Sequence, residues 1–313
     1  MPPPPPAAIA NRTYAAAHFG LELDGLEQVG IFRSIEGGGV KTDVMTYQQG
    51  ANYDRWRQLG KPKYDDLKLQ VGMAMSQPFY KWITNFFSGI PDRRNGAILA
   101  ADFYYAERAR RTFHNAMIKE LTFPKLDGSD KAAAYMSLGV AVEDIVFVKG
   151  TGKKITTVTG FNNQKLWTAC NFRFKLDGFP DQTKRVSKID SFTVKQNIIE
   201  YNHGGSRTSI KTPSQIDYPP ISFYIPEADA APFLDAYAKR ALAVKTTLPG
   251  RLTGSIQTYD NDGSPLFTLT FSGADISAVT PDKNDAGSEE IKQVKIDLYT
   301  EKMAFEYLAM EVL

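Results

Sequence analysis

Apolar and polar residues alternate in short runs along most of the chain, the two-residue period of strands with one buried face. In the N-terminal half these runs predict strands at His18–Asp24, Val40–Tyr47, Leu67–Met73, Ala97–Ala106, Thr112–Ile118 and Ser137–Val148. Glycine and polar turn chemistry separates them, as in Glu36-Gly-Gly-Gly39 and Asp127-Gly128. The period changes after Ser76, a residue suited to an N-cap, with Pro78 in the first turn. Phe79, Trp82, Ile83 and Phe86 then follow at helical spacing and mark one apolar face. The C-terminal half repeats this design. Pro226 opens a helix whose Ala230, Phe233, Leu234 and Tyr237 share a face, and Asp260-Asn-Asp-Gly263 joins Leu252–Tyr259 to Leu266–Phe271 as a hairpin. Both aromatic stripes are expected to pack on their own sheets.

The similarity of the halves extends to individual positions. Phe19-Gly-Leu-Glu-Leu-Asp-Gly25 recurs as Phe172-Arg-Phe-Lys-Leu-Asp-Gly178. A slide of 154 positions sets Tyr47 on Tyr201, Gly50 on Gly204, Tyr64 on Tyr218 and Phe79 on Phe233. The same slide sets Phe113 on Phe267, and Val140 and Val142 on Val294 and Ile296. The expectation is a tandem duplication, with domains 1–154 and 155–313 joined near Gly150-Thr-Gly-Lys-Lys154.

In each copy a polar segment with little apolar periodicity follows the second strand, Gln48–Lys63 in the first and Asn202–Asp217 in the second. Loops of this length inside compact domains are usually functional or disordered. The first carries Tyr53, Arg55, Trp56 and Arg57, residue types enriched where proteins bury contacts with partners. With Gln48, Lys61 and Lys63 at its ends, it is expected to be an arm reaching a neighbouring subunit.

The ordered set formed by Phe19–Gly25, Ile31-Phe-Arg-Ser-Ile-Glu-Gly37, Tyr47-Gln-Gln-Gly50, Leu59-Gly-Lys-Pro-Lys63, Leu67-Lys-Leu-Gln-Val-Gly72, Phe79-Tyr-Lys-Trp82 and Val140–Phe147 resembles the tail-tube proteins of contractile bacteriophages and related contractile injection systems. The second copy departs from the pattern at Lys211-Thr-Pro213 and Ile221-Ser-Phe-Tyr-Ile-Pro226 and reads as a divergent repeat. The resemblance implies a mainly β fold with short flanking helices, built as two tandem tail-tube-like β-sandwich or half-barrel domains. It also implies a structural virion protein that assembles into six-fold rings whose strands join into one barrel, stacked as a conduit. Gln48, Tyr53, Arg55, Trp56, Arg57, Lys61 and Lys63 would then contact the adjacent ring. The implied partners are further copies of the chain, the tail sheath, baseplate and tail-terminator proteins, and a tape-measure protein with transiting DNA in the lumen. The implied location is the phage tail, assembled in the host cytoplasm. A terminal ring (baseplate adaptor or terminator) or the tube of an injection system is the alternative within the family. A tandem β-sandwich binding module or enzyme is the distant one.

Composition adds exclusions. The 313 residues hold 37 basic and 35 acidic side chains, so neither a polybasic coat nor an acidic solvating chain is indicated. The first copy has 20 basic and 16 acidic residues and the second 17 and 19, an asymmetry hidden in the net +2. The single cysteine, Cys170, forms no internal disulfide. No apolar run nears the roughly 20 residues of a membrane-spanning helix, so no membrane anchor is expected. The proline run Pro2–Pro6 favours extended polyproline II geometry and reads as an N-terminal arm rather than a secretory leader.

His18, His114 and His203 lie far apart, and Gly150–Lys154 lacks the first glycine and the Ser/Thr of a phosphate loop. Asp260–Gly263 lacks the end glutamate of a calcium loop. No cofactor, metal or catalytic residue is therefore expected. Arg93-Arg94 and Arg108-Ala-Arg-Arg111 are expected on faces other than a channel, because a conduit that neutralises phosphates would retain DNA.

Overall fold

The computed structural model describes residues 18–27, 29–48, 50, 53–155, 167–242, 251–282 and 291–308. The proline run and most of the connector between the halves lie outside them. The first half runs β1 (Phe19–Leu23), β2 (Gly30–Gly37), β3 (Val40–Tyr47), β4 (Trp56–Tyr64), β5 (Leu67–Met75), α1 (Gln77–Phe87), β6 (Arg94–Ala101), β7 (Glu107–Phe123), β8 (Leu126–Asp127), β9 (Met136–Ala141) and β10 (Asp144–Lys149). The second runs β11 (Phe172–Leu176), β12 (Lys188–Ile189), β13 (Phe192–Tyr201), β14 (Ile210–Asp217), β15 (Ile221–Pro226), α2 (Ala231–Tyr237), β16 (Leu252–Tyr259), β17 (Pro265–Pro281), β18 (Gln293–Tyr299) and β19 (Lys302–Tyr307). The chain is mainly β with short flanking helices, as the periodicity predicts.

Each half builds the same sheet. The order β1-β6-β7-β9-β5-β2 in the first is matched by β11-β16-β17-β18-β15-β12 in the second. β10 pairs with β7 as β19 pairs with β17. Strand β5 is a strict alternation, with Leu67, Leu69, Val71, Met73 and Met75 buried in the same apolar cluster as the α1 face. The helix buries Phe79, Tyr80, Trp82, Ile83, Phe86 and Phe87. Ser76 occupies its N-cap position, but the side chain makes no capping hydrogen bond. In the second half Pro226 ends β15, a 3-10 turn follows, and α2 begins at Ala231. Phe233 is buried as expected, whereas Leu234 is 49% exposed.

Several expected strand limits move. Ala97–Ala106 ends at Ala101, because Asp102 turns the chain by accepting the N–H groups of Tyr104 and Ala106 at 2.9 and 3.0 Å. Thr112–Ile118 lengthens to the 17-residue β7, and Ser137–Val148 is divided between β9 and β10. The two polar segments are not loops. Trp56–Tyr64 is the return strand of a two-stranded hairpin with β3, and Ile210–Asp217 returns against β13. Both faces of these two return strands are largely exposed, which erases the alternation by which strands are recognised.

The duplication has two offsets. In the hairpins it is 154: Tyr47 opposes Trp56 as Tyr201 opposes Ile210, and the ladders shift register at equivalent points, Thr42/Val44 and Gln196/Ile198. In the later strands it is 158, because β16 starts 21 residues after the start of α2 (Ala231 to Leu252) whereas β6 starts 17 after the start of α1 (Gln77 to Arg94). Gly96 faces Phe113 and Gly254 faces Phe271, so Phe113 is equivalent to Phe271 and not to Phe267. Likewise Val140, opposite Leu67, corresponds to Leu298, opposite Ile221.

The halves are not independent. In the junction β13 pairs antiparallel with the end of β7 (Phe192 to Phe123, Val194 to Leu121), and β12 pairs with β8. One buried apolar cluster contains residues of both copies. Phe305 of β19 lies within 6.5 Å, between ring centroids, of Tyr80, Phe87 and Phe123 from the first copy.

Candidate assembly surfaces

Two hairpin arms, β3 with β4 and β13 with β14, stand out among the described residues. The first arm, β3 with β4, extends eight to nine residues per strand, about 26–30 Å at ~3.3 Å per residue. It brings all the sequence-predicted residues together. Trp56, Arg57, Lys61 and Lys63 lie on β4, Gln48 just past β3, and Tyr53 and Arg55 at the tip, all exposed. Tyr53 is fully exposed and Trp56 64% exposed. The arm also presents Val44, Met45, Tyr47 and Leu59; the sequence marks Tyr47 as a repeat position and places Tyr47 and Leu59 in the family resemblance, but marks none of the four as a contact. Ion pairs brace its base: Lys41 with Asp65 at 2.9 Å and Lys63 with Asp43 at 2.8 Å. The hydrogen bond to the Asp43 carboxylate raises the Lys63 pKa above its ordinary value.

The second arm, β13 with β14, exposes Ile199, Tyr201 and Ile210. It leans on the first: Arg207 donates to the Gly60 carbonyl at 3.1 Å and Lys61 to that of His203 at 3.4 Å. Close to its tip, one rung from the turn, it is also fixed to the first copy, where Glu143 accepts the Lys211 N–H at 2.7 Å and Arg93 donates to the Lys211 carbonyl at 2.9 Å.

Where the copies meet, Tyr80 and Tyr307 stack with centroids 3.4 Å apart, and both hydroxyls donate to the Met73 carbonyl, at 2.9 and 3.0 Å. Burial, reinforced by the Tyr307 phenol, pushes the Tyr80 pKa well above its usual value. The arginine cluster is engaged internally. Arg94 pairs with Asp24 and Asp92, Arg108 with Asp102, and Arg110 with Glu22 and the buried Glu107. Gly150–Lys154 is a connector as expected, with Thr151 donating to Glu107 at 2.7 Å.

Among the described residues no group of three or more His, Cys, Asp or Glu is placed to hold a metal ion. No helix of the described residues is long and apolar enough to cross a membrane. An open cavity of about 480 Å³ beside β16 and β17 is lined by Lys175, Asp177, Thr253, Ser255, Ser272 and Lys302, among others, without histidine or cysteine.

Duplicated β domains, one projecting arm apiece and strand edges open to further pairing mark a structural protein of the assembling kind. The chain belongs to the family of the T4-like virus tail tube protein gp19, which matches residues 15–146 and again residues 168–304. It is thus a tail-tube-type structural protein, with its family domain present twice. No curated protein matches it. Among solved structures it is similar to a chain of the sheath-tube complex of an extracellular contractile injection system, PVC, in the extended state. That similarity has 16% identity and a TM-score of 0.37, covering 49% of this chain and 99% of that one. A chain of the anti-feeding prophage baseplate matches at 15% identity and a TM-score of 0.36, with 45% and 95% covered. Hcp1 from Salmonella typhimurium matches at 15% identity and a TM-score of 0.28, with 44% and 88% covered. The family assignment rests on the double family match.

Proposed function

We propose that the chain is the repeating subunit of a tail tube. Three molecules, each supplying domains 1–154 and 155–313, close a ring of six pseudo-equivalent domains. Rings stack through the arms into a conduit for DNA or a protein payload. The observation that carries this reading is the edge-to-edge union of the copies through β7·β13 and β8·β12. Strand pairing sets two domains side by side, the relation of neighbours within one ring rather than of successive layers. A head-to-tail contact of this kind also leaves complementary edges at both ends, so it propagates until it closes. Closure removes the exposed sheet edges that would otherwise promote aggregation. Six domains per ring is taken from the family. The aromatic and arginine side chains of the first arm suit contact with the next ring. Sheath, baseplate and terminator proteins are the outer partners in this reading, and tape-measure protein and DNA occupy the lumen. Assembly takes place in the host cytoplasm, and no catalytic role is assigned.

Native mass measurement with negative-stain imaging of the purified protein tests the proposal. Three chains of 34.8 kDa give a ring of about 104 kDa. A six-chain ring overturns the stoichiometry, and a protein that stays monomeric overturns the tube. Long tubes are expected for the parent chain, and single rings for a Tyr53→Ala/Trp56→Ala variant. A parent protein that halts at single rings is a terminal component instead.

A further inference from the structure

We infer that one molecule meets the next through a copy of its own internal junction: β3 of one chain pairs with the end of its neighbour's β17, and Phe147 seats under the neighbour's α2. The inference rests on the ring proposed above and names the residues that close it.

The internal junction is a template whose parts recur on the outside. The 154 offset of the hairpins makes Val40 the counterpart of Val194, and the same offset at the helices makes Leu234 the counterpart of Tyr80. The 158 offset makes Phe147 the counterpart of Phe305 and Val279 that of Leu121. Val194 and Leu121 are 0% exposed, Phe305 3% and Tyr80 4%. Their counterparts are open: Val40 is 43% exposed, Phe147 63% and Leu234 49%, with Val279 partly exposed. The four open counterparts remain apolar, and they divide correctly. Val40 and Phe147 lie on the first copy, on the edge corresponding to the one the second copy uses in the junction. Val279 and Leu234 lie on the second copy, on the edge corresponding to the one the first copy uses. Large apolar groups set out in the pattern of an existing interface mark an interaction site, and the occupant this pattern fits is a second copy of the chain.

The match also shows where the two contacts differ. In the junction the outermost rung is a pair of phenylalanines, Phe123 opposite Phe192, stacked at 5.0 Å. Their counterparts are Pro281 and Gly38, and Pro281 has no N–H to give the ladder. The contact between molecules is therefore one rung shorter than the contact within them and depends more on Phe147. This asymmetry makes the two-domain chain the durable unit and the chain-to-chain contact the one formed last.

Cysteine cross-linking tests the assignment. In a Cys170→Ser background, Val40→Cys and Val279→Cys are placed in one chain. Directly opposed residues of antiparallel strands have Cα atoms about 4.5–5.5 Å apart, within reach of a disulfide. Mild oxidation of preformed rings is expected to give covalent dimers and trimers, with the ladder ending at three chains and no ladder from either single-cysteine variant. Phe147→Glu is expected to reduce the ring fraction more than tenfold while the monomer melts as the parent does. Rings that form without cross-linking and tolerate Phe147→Glu overturn the inference and leave the ring itself standing. A ladder ending at six supports the contact and overturns the three-chain count. A parent protein that forms no ring overturns both.

Discussion

Replacing Phe305 by alanine probes the union of the two copies directly. Its ring is 3% exposed and lies 5.2 Å from Phe267 of its own copy and 6.0–6.5 Å from Phe87, Phe123 and Tyr80 of the other. Removing a buried phenylalanine costs about 3–5 kcal/mol, because the transfer free energy is lost and the surroundings fill the cavity only in part. Spread over the unfolding entropy of 313 residues, at roughly 2.1 cal/mol/K per residue, this lowers Tm by about 5–8 °C. Phe147→Ala is the internal control, since the same fold position in the first copy is 63% exposed in the single chain. There the expected change is within about 0.5 kcal/mol. The assay is urea unfolding of dilute monomer, followed by fluorescence of the three tryptophans, Trp56, Trp82 and Trp167, and by circular dichroism of the whole chain. A parent transition common to both probes, with Phe305→Ala shifting both together, is the expected result. A loss at Phe305 no larger than at Phe147, or two separate transitions in the parent, would refute the shared core.

Two further substitutions address packing and acid sensitivity. A Cβ at Gly254 would lie 2.4 Å from the Phe271 ring and 2.5 Å from the Lys175 carbonyl oxygen, so Gly254→Ala is expected to cost about 1–3 kcal/mol; at Gly204, with open space around it, the same change should be near neutral in the same denaturation series. Hydrogen bonds from Lys125, then from Ser129, hold the Asp127 carboxyl well below the usual carboxylate range. A pKa depressed in the folded state contributes stability that is present above the unfolded value near 4 and is lost as pH falls through the folded value. The parent should therefore lose stability as pH drops below about 4, and Asp127→Asn should lose it less steeply in thermal melts across that range.

The sequence made the duplication legible because the Asp-Gly turns and the aromatic anchors Phe79 and Phe233 are local signals that survive divergence. It misplaced the later strands for a physical reason. A strand repeats every two residues, so a slip of four keeps every apolar side chain on the same face. Phe267 and Phe271 are both buried on that face, and only the glycine beneath each equivalent ring, Gly96 under Phe113 and Gly254 under Phe271, distinguishes them. The arm residues were legible as a cluster of contact types, but their strand geometry was not, because a hairpin solvated on both faces carries no alternation. The junction was hidden altogether: nothing in the Phe192–Lys195 run specifies that its partner is Glu120–Phe123 of the other copy.

The arms share a strand register but not a chemistry. Lys61 and Lys63 of the first stand where the second has Gln215 and Asp217, and Trp56 stands where it has Ile210. In a ring of three chains the two kinds of arm alternate around the rim. A ring of six identical domains can rotate into register on its neighbour at any of six angles. The alternating ring has only three, so in the proposed three-chain assembly the duplication halves the ways in which successive rings can lock.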